Sequence, residues 1–297
     1  MTSPEFGVPF VKAHGTGNDF VLIPDYDGSI DIEPEAVAAL CDLHRGLGAD
    51  GVIRVVRAAA AGSAINELSA SVSDAEWFMD YRNGDGSVAE MCGNGARVFA
   101  QYLIDHDLVD GAIEFEIVTR GGICQISIEP DGLIKVGMGF PAEGPTGDDP
   151  VAVVGGAKFT GPAVWMPNPH AVVFVDDLDQ AGDLRTAPTF AAGGDRFPDG
   201  VNVEFVVDRT EGATLTADMR VHERGVGETL SCGTGACAVA IAVLDRHEIS
   251  GPASVAVNVP GGQLRVERSS TGEIWLSGPS VSVAAGFLNP DWWKVNS

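Results

Sequence analysis

The chain has 297 residues, 45% apolar and 20% charged, an ordinary globular composition and enough length for two domains. Eighteen basic residues against 42 acidic ones leave a net charge of −24, which repels nucleic-acid phosphate and anionic lipid and so excludes both as expected partners. No run of about 18 apolar residues is present to cross a membrane, the first residues lack a secretory pattern, and five cysteines are too few for a disulfide framework; free thiols in a reducing cytoplasm are expected.

In chain order, Phe10–Ile23 reads as extended structure and Pro34–His44 as an amphipathic helix with proline in its first turn. Val52–Val56 reads as a strand, and Ala58–Ser63 as a small-residue surface loop. After Gly95, Ala96, Phe99, Ala100 and Leu103 recur on one helical face. Further strands are expected at Ile113–Val118, Ile123–Ile128, Ala171–Val175, Val201–Val207 and Ala253–Val259, and Glu129–Pro150 reads as a turn-rich crossover. Ala236–Leu244 is apolar on every side, so it requires enclosure, here by a curled sheet.

The stretch EMCGNGAR, Glu90–Arg97, and the stretch LSCGTGAC, Leu230–Cys237, place a cysteine before the same Gly-x-Gly-Ala turn, 140 positions apart. Each turn opens one of the two helices just described. Unpaired N–H groups and the positive dipole end at a helix start favour thiolate and anions, and the glycines allow close approach. One such turn suggests a nucleophile. Two, acting on opposite faces of one α-carbon, suggest stereoinversion, in which one sulfur removes a proton and the other returns it.

The stretches KAHGTGNDFVLI (Lys12–Ile23), HRGLGADGV (His44–Val52), RNGDGSVAEMCGNGAR (Arg82–Arg97), NPHAV (Asn168–Val172), VNVEFV (Val201–Val206) and HERGVGETLSCGTGACA (His222–Ala238) resemble the diaminopimelate epimerase family, in order and over nearly the whole chain. The resemblance implies an α/β (α+β) fold of two pseudo-symmetric domains, each a curled, mostly antiparallel, barrel-like sheet around a central helix. The halves would be residues 1–130 with 278–297, and residues 131–277. It implies that no cofactor and no metal take part, that the substrate is diaminopimelate, and that Cys92 and Cys232 are the two bases. Gly93, Asn94, Gly233 and Thr234 would hold the reacting carboxylate, and Asn18 the reacting ammonium. Asn83, Asn168, Asn202 and Arg224 would bind the distal carboxylate and Glu223 the distal ammonium, with His170 and Glu223 tuning the thiols. A homodimer is expected. Pro167 departs from the glycine common in the family, and Gly51, where some members carry glutamine and others share the glycine, reads as variation that leaves a ligand to the substrate ammonium missing or replaced there.

Cys41, Cys124 and Cys237 read as buried apolar residues, and His14 as a hydrogen-bonding group of its own turn. No cluster has zinc-site spacing. A pyridoxal-phosphate racemase would need a Schiff-base lysine, and none of the four lysines, Lys12, Lys135, Lys158 and Lys294, sits in a cofactor loop. A dithiol redox protein and a non-catalytic amino-acid binder are the rivals from other classes.

Overall fold

The computed structural model describes residues 7–62, 76–109 and 114–296. Ser63 and Ile113, at the ends of two expected segments, lie outside them. The chain forms two compact units, Met1–Val136 with Pro279–Ser297, and Gly137–Gly278.

In the first unit, β1 (Pro9–Gly15) and β2 (Asn18–Pro24) form a hairpin. The single run expected over Phe10–Ile23 is thus two strands. Thr16 and Gly17 both have positive φ, at 52° and 83°, which fits the strand twist of a two-residue hairpin turn. β3 (Gly51–Arg57) pairs parallel to β2, and β4 (Trp77–Asn83) antiparallel to β3. Helix α2 (Gly93–Asp105) then crosses to β5 (Glu114–Thr119), parallel to β4, and β6 (Gly122–Ile128) and β7 (Ile134–Gly139) follow antiparallel. The strand β7 lies inside the stretch expected to be crossover alone. Helix α1 (Pro34–Cys41) stops short of His44 because the Asp42 carboxylate accepts from the N–H groups of His44 and Arg45 and turns the chain.

The second unit repeats this pairing. After the short β8 (Val151–Val154) and β9 (Ala157–Thr160), β10 (Ala163–Trp165) and β11 (Pro169–Phe174) form the hairpin. With β12 (Thr189–Ala192) set aside on β8, β13 (Asn202–Asp208) pairs parallel to β11, and β14 (Thr216–Glu223) antiparallel to β13. β15 (Gly227–Thr229) folds back on β14; helix α3 (Gly233–Arg246) crosses to β16 (Ala253–Val259), parallel to β14; β17 (Gly262–Arg268) and β18 (Ile274–Gly278) follow antiparallel. The last strand, β19 (Val281–Phe287), pairs with β1, and α4 (Pro290–Asn296) packs Trp292 and Trp293 on the core between α1 and its sheet.

In each unit the main strands pair in a mixed, mostly antiparallel arrangement that curls without closing. Helix α3 buries Ala236 through Ala240 without a break and touches β10, β11, β13, β14, β16, β17 and β18, the enclosure an all-apolar helix requires. Helix α2 packs against β1 to β4 in the same manner. No helix among the described residues is long and apolar enough to cross a membrane.

Candidate active site

Each cysteine is the N-cap of its crossover helix. Cys92 and Cys232 are extended, at φ −140° and −120°, and each Sγ accepts from the N–H of the glycine three residues on, Gly95 and Gly235, at 3.4 Å. The match reaches the next layer. Gly121 N–H donates to Glu90 O at 2.9 Å, and Gly261 N–H donates to Leu230 O at 2.9 Å, so each loop is tied, two residues before its cysteine, to the hairpin after its helix.

Around Cys92 the structure brings together Asn18, Gly93 and Asn94. The Asn94 amide donates to Asn18 Oδ1 at 3.1 Å, and Cys92 Sγ lies 3.7 Å from the same oxygen. Two further residues complete the group, and reading the sequence did not single them out. Asp50 Oδ2 accepts from Asn18 Nδ2 at 2.6 Å, and the fully buried Arg97 guanidinium donates to Asn94 Oδ1 at 2.8 Å. Asn83, at the end of β4, donates to Ser87 Oγ and accepts from Tyr81 OH, each at 3.0 Å. It joins the group through the adjacent Gly84, whose N–H donates to Asp50 O at 2.8 Å. Gly51 has a structural reason. A Cβ there would lie 2.5 Å from Arg82 O and 2.6 Å from Tyr81 Cε2, so the Tyr81 ring holds the space that a side chain at 51 would enter.

Around Cys232 the charges differ. His170 Nδ1–H donates to Glu204 Oε1 at 2.7 Å, both side chains are fully buried, and His170 Nε2 meets Asn168 Oδ1 at 3.1 Å. A Cβ on Gly235 would lie 2.7 Å from Glu204 Oε1 and 3.3 Å from Cys232 Sγ, so the missing side chain lets the carboxylate stand against the thiol turn. The same position in the first unit, Gly95, is backed by Ile53 and Phe20. Thr234 Oγ1 lies 3.5 Å from Cys232 Sγ. Asn202 Oδ1 accepts from the Arg224 N–H at 2.8 Å; the Arg224 guanidinium is exposed and reaches Asp199 O, and Thr229 bonds the Glu223 carboxylate.

A helix start lowers a thiol pKa, and that expectation does not hold for Cys232. Burial raises it well above the ordinary value, the Glu223 and Glu204 carboxylates raise it further, and the Thr234 hydroxyl and Gly235 N–H offset only part. Together these effects favour the protonated thiol at Cys232. Cys41, Cys124 and Cys237 are buried as expected, and burial pushes Cys41 and Cys124 up to about 12. His14 Nδ1 accepts from Gly17 N–H inside its own turn.

A diaminopimelate epimerase family profile matches residues 10–142 and 163–283. The diaminopimelate epimerase of Streptomyces coelicolor is 52% identical over 290 residues, covering 96% of both chains, and that of Mycolicibacterium smegmatis is 45% identical over 295 residues, covering 96% of this chain and 98% of its own. Among solved structures, a PhzF-family phenazine biosynthesis protein from Bacillus anthracis shares the fold at a TM-score of 0.66 and 16% identity, covering 94% of this chain and 97% of its own. A hydroxyproline epimerase from Agrobacterium vitis does so at 0.61 and 16%, covering 96% of each. With a family profile over most of its length and relatives near half identical from end to end, the chain belongs to the diaminopimelate epimerase family and is an isomerase of the amino-acid epimerase class.

Proposed function

We propose that the enzyme interconverts LL- and meso-diaminopimelate by a cofactor-independent two-base reaction, in lysine and peptidoglycan-precursor biosynthesis. The observation that carries this reading is the duplicated thiol turn, with Cys92 and Cys232 each capping a crossover helix through the same bond from a glycine N–H. In the reaction, a thiolate takes the α-proton from one face, the C–H electron pair moves into the adjoining carboxylate, and the thiol on the other face gives its proton to carbon. A turnover of about 10 per second requires a barrier near ~16 kcal/mol, which N–H groups at two helix starts support by holding the charged carboxylate. The raised Cys232 thiol makes it the resting proton donor in this reading.

Gly93, Asn94, Gly233 and Thr234 hold the reacting carboxylate in this reading, and Asn18 the reacting ammonium. Asn83, Asn168, Asn202 and Arg224 take the distal carboxylate, where a guanidinium fork and neutral amides suit an anion, and Glu223 takes the distal ammonium. His170 and Glu223 act on the thiols' proton balance, and Glu204 joins them. The two units serve as the two epimerase halves. The reading places the enzyme in the cytoplasm as a homodimer; support for the dimer comes from β19, a sheet-edge strand that exposes Val281, Val283 and Phe287.

Incubation with LL-diaminopimelate in deuterium oxide tests the activity. The expected product is the meso isomer with deuterium at the inverted α-carbon. Binding without exchange would leave an amino-acid binder in its place.

A further inference from the structure

The side chains around Cys92 form a line of hydrogen bonds with a defined polarity. At its buried end stands Arg97, whose guanidinium only donates. One nitrogen, Nη2, donates to Asn94 Oδ1 at 2.8 Å and to Thr16 Oγ1 at 3.2 Å, and Nη1 donates to Gly93 O at 3.3 Å. Thr16 is held there in a left-handed backbone conformation, and Gly15 packs against the guanidinium, where a Cβ would come within 3.1 Å of Nη2. Since Asn94 must turn its oxygen to Arg97, its amide nitrogen faces Asn18 and donates to Asn18 Oδ1 at 3.1 Å. Asn18 then presents its own nitrogen to Asp50 Oδ2 at 2.6 Å. Asp50, at the exposed end, only accepts when ionised. It is fixed by Asp19, whose N–H donates to the same Oδ2 and whose Oδ1 accepts from the Asp50 N–H at 3.1 Å, and Asp19 pairs with Lys12.

The direction of both amides thus follows from a group that cannot accept at one end and a group that cannot donate at the other. A reversed Asn18 would set its nitrogen against the Asn94 nitrogen and its oxygen against the Asp50 carboxylate. The consequence falls on Cys92, whose sulfur lies 3.7 Å from Asn18 Oδ1. The locked orientation gives this sulfur a carbonyl oxygen as neighbour in place of an N–H donor. It also aims an acceptor at the position where the reacting ammonium would sit.

We propose that Asp50 and Arg97 are positioning residues that lock the Asn18 amide, directly and through Asn94, with its oxygen toward Cys92 and the reacting ammonium. The role given to the ammonium rests on the function proposed above; the lock itself does not.

Asp50 is the residue to test, because it lies at the surface and its replacement spares the core. The readouts are the pH profile of Cys92 alkylation by iodoacetamide, followed by peptide mass mapping in the full-length enzyme, and kcat/KM for diaminopimelate. Asp50→Ala removes one of the two restraints on Asn18 and leaves Asn94 alone to oppose its reversal, so the N–H groups reach the Cys92 thiolate more often, alkylation moves to lower pH and kcat/KM falls about 10-fold or more. Asp50→Asn keeps an acceptor for Asn18 but can also donate, so both readouts move in the same direction as in Asp50→Ala by a smaller amount. In an Asn18→Ala background, Asp50→Ala adds no further shift. Equal shifts in Asp50→Ala and Asp50→Asn, an undiminished shift in the Asn18→Ala background, or no shift in Asp50→Ala would each overturn the lock. A shift of the expected pattern in a protein without epimerase activity would uphold the lock and defeat the proposed function instead.

Discussion

His170 and Glu204 form a fully buried imidazole–carboxylate pair, 2.7 Å between Nδ1 and Oε1, directly behind the turn that carries Cys232. The second carboxyl oxygen, Glu204 Oε2, is buried and has no hydrogen-bond partner among the described residues. A buried carboxyl group needs a partner such as His170, and it also acts on its neighbours. Here the neighbour is the thiol, whose ionisation the carboxylate opposes.

Glu204→Gln keeps the shape and removes the charge. The expected result is alkylation of Cys232 at lower pH than in wild type, with a stability loss of about 1–2 kcal/mol from the weakened bond to His170. Iodoacetamide kinetics against pH, with Cys232 followed by peptide mapping, check the first part and urea unfolding the second. Glu223→Gln moves the Cys232 profile in the same direction, because its carboxylate is the larger of the two charge effects.

The two thiol turns share a backbone but differ in backing, and matched substitutions expose this. Gly235→Ala drives a Cβ to 2.7 Å from Glu204 Oε1 and 3.2 Å from Cys232 Cβ, whereas Gly95→Ala meets first the terminal methyl of Ile53 at 3.3 Å. We expect a loss of about 1–3 kcal/mol for Gly235→Ala and under about 1 kcal/mol for Gly95→Ala. Urea midpoints of the two variants decide it.

Tyr81 occupies the space beside Gly51 and donates its hydroxyl to Asn83 Oδ1 at 3.0 Å. Tyr81→Phe keeps the ring and leaves the amide oxygen without this donor, with Ser87 still holding the nitrogen. If Asn83 binds the distal carboxylate, KM rises about fivefold, matching roughly 1 kcal/mol for one hydrogen bond, while kcat stays near wild type. An unchanged KM would remove Asn83 from the distal site.

Buried thiols also set the alkaline limit of stability. Cys41 and Cys124 hold their protons up to about 12 in the folded chain, and unfolded thiols release theirs near ~8.5. Between these values the unfolded state binds fewer protons, so the slope of stability against pH is negative. Their contribution is fully present below the unfolded value and is lost as pH rises toward 12. Cys124→Ala flattens the decline in unfolding free energy between pH 9 and 11, measured in urea at a series of pH values.

Much of this site was legible in residues whose role is local. A cysteine followed by Gly-x-Gly before an apolar helix specifies an N-cap thiol whatever surrounds it, and the repeat of the motif announced the repeated unit. Glu204 and Asp50 were missed because their roles depend on tertiary contacts. In β13, Asn202 and Glu204 alternate with Val203 and Phe205, the pattern of a strand with one wet face, yet both faces are buried. One face meets α3 and the other the core cluster holding Val203 and Phe205. Asp50 sits in a turn, where an aspartate ordinarily caps its own backbone. Its partner Asn18 is 32 positions away and becomes a neighbour only once β2 and β3 pair in parallel. The end of α1 was set too late for a similar reason, since the Asp42 turn that stops it is read from side-chain bonds rather than from apolar spacing.

The requirement for two thiols is tested most directly by steady-state epimerisation, started from LL- and from meso-diaminopimelate, with Cys92→Ala and Cys232→Ala. The account predicts that each variant loses turnover by about a thousandfold or more in both directions while remaining folded. Near-normal turnover by either variant, in either direction, would contradict it.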